Sequence, residues 1–578
     1  MILKFIIFIL IFFVFKSSVV TQTALDSKIP IDTLKSDYSI SGELYNSDLS
    51  SSNNLSSVGW SSYHPWLIDP INLIYTGNPF QTEQKHQSIR YTSLPHIGFL
   101  YSFGSSGFQN AVVNYTQCFI NNLLINLDFK SSQSNGILRN SGFKNQEIHL
   151  NFLKQWKKVN LHLDVNSLQR TYEWNGGIIN DSLPLSFSLG LIPVNKSDAI
   201  SVRKDVSVIS NTNFKLNGDS LKHVGISIRN IFDSKNRVYT ETGDLASIYS
   251  IILVDSFQTR DHLQISTQKN NISLFMKSKK LDFDLGVEQI FWNYRNGILY
   301  RDTLEILLNE KFQFKSNDLK ITQNFQYYFL GRSSNWVSEI SVNKKSDLWG
   351  VNSYWKIENS LPELFQRHYF SNNIFYQLPV YENQFKSRLD LSVFYHLKNS
   401  KIDFTSSYVY LRRPYFFNGQ TWENTFYSQV NALNLSISIN SKYKFLRLSP
   451  NYSLCVLPAQ MNFYPVHNLS LRASVENGIF KNKKLKAYFG LEPRLIGGYS
   501  PVALGTSMDL FLINHSNTEQ SSYFDMSIFS GIELKGFKFF VRADNLGYFW
   551  NNRMLQVIKG YPIPLMQIKI GITWDFWN

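Results

Sequence analysis

Charge is scarce in this chain of 578 residues: 17% of them are Asp, Glu, Lys or Arg, against about 25% in an ordinary soluble domain. Cysteine is scarcer still, with Cys118 and Cys455 alone. Neither lies in a CxxC or a Cys/His cluster, which removes the usual zinc frameworks. The 11 histidines are scattered singly, and none makes HExxH or another ligand spacing. No GxSxG elbow, phosphate-binding loop or GxGxxG motif occurs. Catalytic, cofactor and metal residues are therefore expected to be absent, and the chain is read as a non-enzyme. Long apolar runs are also missing beyond the first twenty residues, which excludes a bundle of membrane-spanning helices.

The one apolar run is Phe5–Phe15, preceded by Lys4 and followed by small and polar residues. Its length suits the core of a secretory signal peptide and falls short of a spanning helix. A signal peptide over 1–24 is expected, followed by a flexible periplasmic lead-in over 25–59 that is rich in Ser and Asn. No cysteine follows the apolar run, so a lipid anchor is not expected.

Aromatic residues, in contrast, reach 15%, and hydrophobic residues 43%, yet mean hydropathy is only −0.19. Alternation produces that combination. Leu281, Phe283, Leu285, Val287 and Phe291 share one phase, and Asp282, Asp284, Gly286 and Glu288 the other. Leu304, Ile306, Leu308, Phe312 and Phe314 oppose Glu305, Asn309, Lys311 and Gln313 in the same way. Leu319, Ile321, Phe325, Tyr327 and Phe329 oppose Lys320, Thr322, Asn324 and Gln326. The pattern recurs at Val159–Val165, Leu389–Leu397, Leu433–Ile439, Leu485–Leu491, Phe524–Leu534 and Phe537–Ala543. A strand turns successive side chains to opposite faces, so each segment has one apolar and one wet side.

Segment length and connection pattern favour a membrane barrel over a sandwich. Strands near ten residues suit a tilted crossing of the hydrocarbon. Short basic turns at Lys277–Lys280, Lys315–Asp318, Asn343–Ser346, Lys398–Lys401, Lys481–Lys484 and Leu534–Gly536 alternate with long aromatic loops such as Arg413–Thr425. That is the plan of short periplasmic turns and long outer loops. The expected fold is all-β: a large antiparallel transmembrane β-barrel of about 16–22 strands over residues 60–578. Aromatic clusters at strand ends (Phe291, Trp292 and Tyr294; Tyr327 to Phe329; Tyr408 and Tyr410; Phe549 and Trp550) are read as girdles at the headgroup level.

On this reading the wet face lines a lumen. Candidate lining residues are Asp282, Asp284, Glu288, Glu305, Lys311, Lys320, Lys538, Arg542, Asp544 and Lys569. The acidic trio Asp282, Asp284 and Glu288 either attracts cations or, as favoured, pairs with neighbours such as Lys311 and Lys320. His162 and His396 fall on the same face and are read as plain lining. The formal charge of +14 sits partly in the turns, so it points neither to nucleic acid nor to an anion-selective pore.

The last segment is the most specific. Met566, Ile568, Ile570, Ile572, Trp574 and Phe576 alternate with Gln567, Lys569, Gly571, Thr573 and Asp575, as a closing strand requires. Such a strand is also the expected contact with the barrel-assembly machinery. The final residue, Asn578, departs from an aromatic terminus. GFKFFVRADNLGYFW (Gly536–Trp550) and GYPIPLMQIKIGITWDFWN (Gly560–Asn578) resemble the putative porin family of Bacteroidota. YFSNNIFYQLP (Tyr369–Pro379) and the stretch from Val113 to Ser132 are similar more loosely. The resemblance implies a multi-pass barrel of a Gram-negative outer membrane with channel activity, and brings no catalytic residues and no defined substrate.

The leading expectation is passive or facilitated diffusion of small polar solutes, with outer-membrane lipid as surroundings and oligomers as an option. An energised transporter is weighed against, because only about forty Ser-rich residues separate the signal from the body. An adhesin, secretion component or scaffold is the main alternative, and a soluble secreted β-protein the last.

Overall fold

Twenty-two antiparallel strands form one sheet that closes on itself. This computed structural model describes residues 89–578 and Ile74, except 93, 120–121, 180–188, 219–221, 333, 379–380, 425–427, 480–483, 513–519, 552–554, 564–565 and 578. The expected signal peptide and lead-in lie outside the described residues. The wall opens at β1 (His96–Gly104) and continues as β2 (Phe108–Phe119), β3 (Leu123–Ser134), β4 (Phe143–Gln155), β5 (Val159–Trp174), β6 (Ala199–Gly218), β7 (His223–Thr242) and β8 (Gln258–Lys277). Next come β9 (Leu281–Asn296), β10 (Leu299–Lys315), β11 (Leu319–Leu330), β12 (Trp336–Lys345), β13 (Trp349–Ser360), β14 (Gln384–Leu397) and β15 (Ser400–Arg412). The ring finishes with β16 (Gln429–Tyr443), β17 (Leu446–Val456), β18 (His467–Ile479), β19 (Leu485–Ile496), β20 (Tyr523–Leu534), β21 (Phe537–Asp544) and β22 (Gln567–Trp577).

Each strand pairs with the next, and β22 pairs with β1 from His96↔Trp577 to Gly104↔Lys569. The seam leaves no unpaired edge, which hydrocarbon would not tolerate. The alternating segments thus became wall strands, and the count falls at the top of the expected range.

The face assignment follows from burial. Leu285, Val287, Phe291, Leu308, Phe489, Ile568 and Trp574 are exposed, whereas Asp128, Asp164, Arg542, Asp544, Lys569 and Thr573 are buried. A sandwich would bury the first set against itself. Here the apolar phase looks outward and the charged phase inward, the arrangement of a barrel in lipid.

Connections at one end span two to five residues, and at the other two to 26. The basic turns expected around 277–280, 315–318, 398–401 and 534–536 all fall at the short end, which is the periplasmic one. The two-residue turn Lys535–Gly536 has positive φ at both positions, 46° and 84°. That backbone twist matches the flanking strands, and glycine takes it without strain.

Lipid-facing and lumen-facing charges should differ in cost. Phe489→Arg on the outer face of β19 is expected to lower the unfolding free energy by about 2–4 kcal/mol. Lys320→Gln on the inner face of β11 should change it by less than about 1 kcal/mol. Urea titration of the folded fraction in lipid vesicles, read by gel mobility with and without heating, checks both.

Candidate functional site

The lumen divides into a polar inner part and a packed outer mouth. All ten candidate lining residues fall on strands, on the inward phase. Asp282 on β9 accepts an ion pair from Lys315 on β10 at 2.5 Å. Asp284 stands opposite Lys311 in the register, and Gln313 opposite Asp282. Of the neighbours expected for the trio, Lys311 stands opposite Asp284, whereas Lys320 on β11 stands opposite Lys315 in the register. Glu288 faces Leu307. Glu305 is buried and bound by Arg332 of the short loop after β11.

The second group lies across the closing wall. Arg542 on β21 contacts Asp544 at 2.6 Å and Glu492 on β19 at 2.8 Å, and it faces Lys569 of β22 in the register. Lys538 lies 3.9 Å from Glu533 of β20. The ten residues therefore do not form one site. Asp282, Glu305, Lys538, Arg542 and Asp544 enter ion pairs, in separate parts of the wall.

Sequence reasoning missed a third belt. His149 on β4 bridges Asp128 of β3 and Asp164 of β5, at 3.4 and 3.0 Å. Asp128 also receives Arg90, from the segment ahead of β1, whose Nε donates to Thr116 at 3.2 Å. Chain upstream of the wall thus lies on the lumen side. Ile74, fully buried within the core of the outer mouth, does too. His162 contacts Asn151, and no group of three or more His, Cys, Asp or Glu suited to a metal occurs among the described residues. Both cysteines are buried and neither is in a disulfide.

The outer mouth is a packed apolar core. Tyr172 and Trp174 of β5, Tyr239 of β7, Val430 and Ala432 of β16, and Tyr499, Ile558 and Tyr561 of two outer loops share one buried cluster. β5 and β16 stand eleven strands apart in a ring of 22, half its circumference. The loop 497–522, between β19 and β20, reaches across. Asp509 accepts from Arg237 Nε of β7 at 2.7 Å and from Ser201 Oγ of β6 at 2.8 Å. Its neighbours Met508 and Leu510 pack on Tyr369, Tyr376, Phe417 and Trp422 of two further loops.

Backbone bonds tie the loops to each other. Ile178 N donates to Gly560 O at 2.8 Å, and Lys559 N to Val502 O at 2.9 Å. At the first contact the backbones abut: a Cβ on Gly177, whose φ is +85°, would lie 3.2 Å from the Gly560 Cα. Only glycine allows that approach. Loop 361–383 is held by Asn372, whose N–H donates to Asp261 of β8 at 2.8 Å, and by Tyr294 OH, which donates to His368 O at 2.6 Å. Lys196 of loop 175–198 sits 3.1 Å from Glu241, and burial pulls its ammonium below the usual lysine range.

The mouth corrects part of the girdle reading. Phe291, Tyr327, Phe329 and Tyr408 do face outward. Trp292 and Tyr294 are on the inward phase; Tyr294 is fully buried in the mouth and Trp292 stacks under Arg332. Strand alternation separates neighbours that a composition cluster lumps together.

Residues 16–578 match the sequence profile of the family described as Putative porin. The chain belongs to that family. Among solved structures, this family member resembles the siderophore receptor PirA of Acinetobacter baumannii (11% identity, TM-score 0.58, 85% of this chain and 81% of that one). It resembles the FrpB iron transporter of Neisseria meningitidis (8%, TM-score 0.58, 84% and 83%) and the copper transporter OprC (9%, TM-score 0.59, 83% and 80%). At such identities the likeness is one of fold. No curated protein matches the sequence. Family and fold together place the chain in the outer membrane as a multi-pass β-barrel.

Removing one partner of a buried ion pair costs about 3–5 kcal/mol, so Asp509→Ala should loosen the crossing loop. Limited proteolysis on intact cells is expected to cut within 497–522 at least tenfold faster than in the parent, with the barrel itself resistant.

Proposed function

We propose that this chain is an outer-membrane transport barrel for small polar solutes in which passage is gated by the outer loops. The carrying observation is the Asp509–Arg237 pair, which anchors a loop rooted between β19 and β20 to the far wall at β7. Below that layer the wall is polar and charged, which suits hydrated solutes better than apolar ones. At the layer itself, the described loop residues pack their aromatics into buried clusters, which supports a barrier that parts when a solute passes. Free diffusion through a standing pore is therefore the less favoured form of the channel reading. Membership of a porin family and a fold shared with a siderophore receptor and metal transporters support a transport role.

A second reading, as a surface protein that binds a partner through its loops, draws support from loop 243–257. Val254 is 70% and Phe257 69% exposed there, at the outer end of the long strands β7 and β8. Loop-deleted variants that lose a cell-surface partner while conducting normally would favour it.

Planar-bilayer recording of the purified barrel separates the forms of channel. The parent protein is expected to be mostly closed with brief openings. Asp509→Ala, or Asp509→Ala with Gly177→Ala, should raise open probability at least tenfold, because each opening no longer breaks a buried ion pair. A parent pore that stays open at rest, or variants that conduct no more than the parent, would contradict gating by this layer.

A further inference from the structure

Charge on the inner wall is not evenly balanced. On β13–β15, Lys356 and Lys386 share Glu358, Arg388 takes Asp390 and Lys401 takes Asp403; on β17, Arg447 takes Glu476. On the inward phase of β7–β11 the pairing fails. Arg229 on β7, Lys277 on β8, Lys311 on β10 and Lys320 on β11 are all exposed, and none forms an ion pair with a described residue. Lys277, Lys320 and Arg229 all lie within electrostatic reach of the Lys311 ammonium. Two carboxylates share this stretch. Asp282 is taken by Lys315, and Asp284 stands opposite Lys311, one carboxylate among four cations. Higher on the wall, Lys269 and Glu288 add one charge of each sign and leave the excess as it is.

The four cations form a patch in the inner half of the lumen. Lys277 and Lys320 stand at the inner rim, at the end of β8 and one residue into β11. Lys311 lies four residues above the end of β10, and Arg229 six above the start of β7. At ~3.3 Å per residue and a tilt near 45°, these heights are about 9 and 14 Å. Three strand spacings of ~4.8 Å separate β7 from β10, so the patch is about 14 Å wide. Between Lys311 and Lys315, on the same face of β10, sits Gln313, only 8% exposed. Its Nε2 has no acceptor among the described residues. A buried N–H without an acceptor is costly, and native interiors seldom keep one. Unpaired cations beside an unsatisfied donor are complementary to the same thing, oxygen that carries negative charge.

We propose that this patch is a binding site for small solutes bearing two or more anionic oxygen groups, such as oligophosphates or polycarboxylates. The inference rests on the transport reading above and narrows its solute class. A lone monovalent anion is too small to meet cations spread over about 14 Å. Linked anionic groups can engage Lys311 and Gln313 together with Lys320, Lys277 or Arg229. Hydrogen bonds between ionised groups are the stronger ones, so Lys311 carries most of the contact and Gln313 aims it. Flexible lysine stems let such contacts form and release, as a site must when its solute has to leave again. The chain's formal charge of +14 carries none of this. The excess is local, and it lies below the loop layer, in the path of a solute that has passed Asp509.

The test is equilibrium binding to the full-length protein in lipid nanodiscs, by titration calorimetry with inorganic triphosphate, with citrate and, as a control, with spermidine. The two anions are expected to bind and spermidine is not. Lys311→Gln/Lys320→Gln should weaken the anions about tenfold or more, and Gln313→Leu, which changes no charge, about threefold. Lys130→Gln on β3, seven strands from Lys311, removes the same charge elsewhere in the lumen and should leave affinity within about twofold of the parent's. Heat-dependent gel mobility checks that each variant has formed its barrel. Binding of triphosphate alone would assign the site to oligophosphates, and of citrate alone to polycarboxylates. A folded parent that binds neither anion, or binds spermidine as well, would overturn the proposal. So would patch variants that bind as the parent does, or equal weakening by Lys130→Gln. Binding is read without flux, so the two readings fail separately. A barrel that binds the anions but never conducts supports the site and refutes transport, and one that conducts but binds neither does the reverse.

Discussion

A backbone inside hydrocarbon must satisfy every N–H and C=O by itself, and nearly everything in this protein follows from that. A sheet meets the demand only by closing, so β22 must end against β1, as it does from Trp577 to His96. Closure then turns the residue pattern inside out. The phase that would form the core of a soluble protein faces lipid, and the charged phase must solve its electrostatics in an enclosed space. The ion-pair belts at Asp282–Lys315, at Arg542–Asp544–Glu492 and at Asp128–His149–Asp164 are that solution.

Closure also leaves a hole, and the long outer loops fill it. Their aromatic residues pack into the mouth as a small core of ordinary protein character, and the inward wall residues beyond it are polar. The layer is held by few polar anchors that span large distances: Asp509 to Arg237, Asn372 to Asp261, Gly560 to Ile178. A core fastened in this way can part at its anchors without disturbing the wall, whose hydrogen bonds are continuous around the ring. On the proposed function, stability and gating thus reside in different parts of the same chain.

Alternation made the wall legible from sequence. Segments such as Leu281–Phe291 and the closing run from Met566 showed which side chains share a face, and the basic turns showed where hairpins close. Two things were hidden. The partners of loop residues depend on contacts across the ring, so nothing near Asp509 pointed to Arg237, 272 positions away. Register is the other. Asp128, His149 and Asp164 each lie on the wet phase of their own strands, but only the alignment of β3, β4 and β5 brings them into one ion-pair belt. The pairing of Asp282 with Lys315 was missed for the same reason: a face can be read from one strand, a neighbour only from two.

The central claim is the inside-out wall, and lipid accessibility along β22 tests it most directly. Nitroxide labels placed singly from Ile568 to Thr573 in the reconstituted protein report collision with membrane-dissolved oxygen and with a water-soluble nickel chelate. Labels at 568, 570 and 572 should favour oxygen, and labels at 569, 571 and 573 should be shielded from it, a period of two. Equal accessibility on both phases, or oxygen favouring the odd positions, would contradict the account.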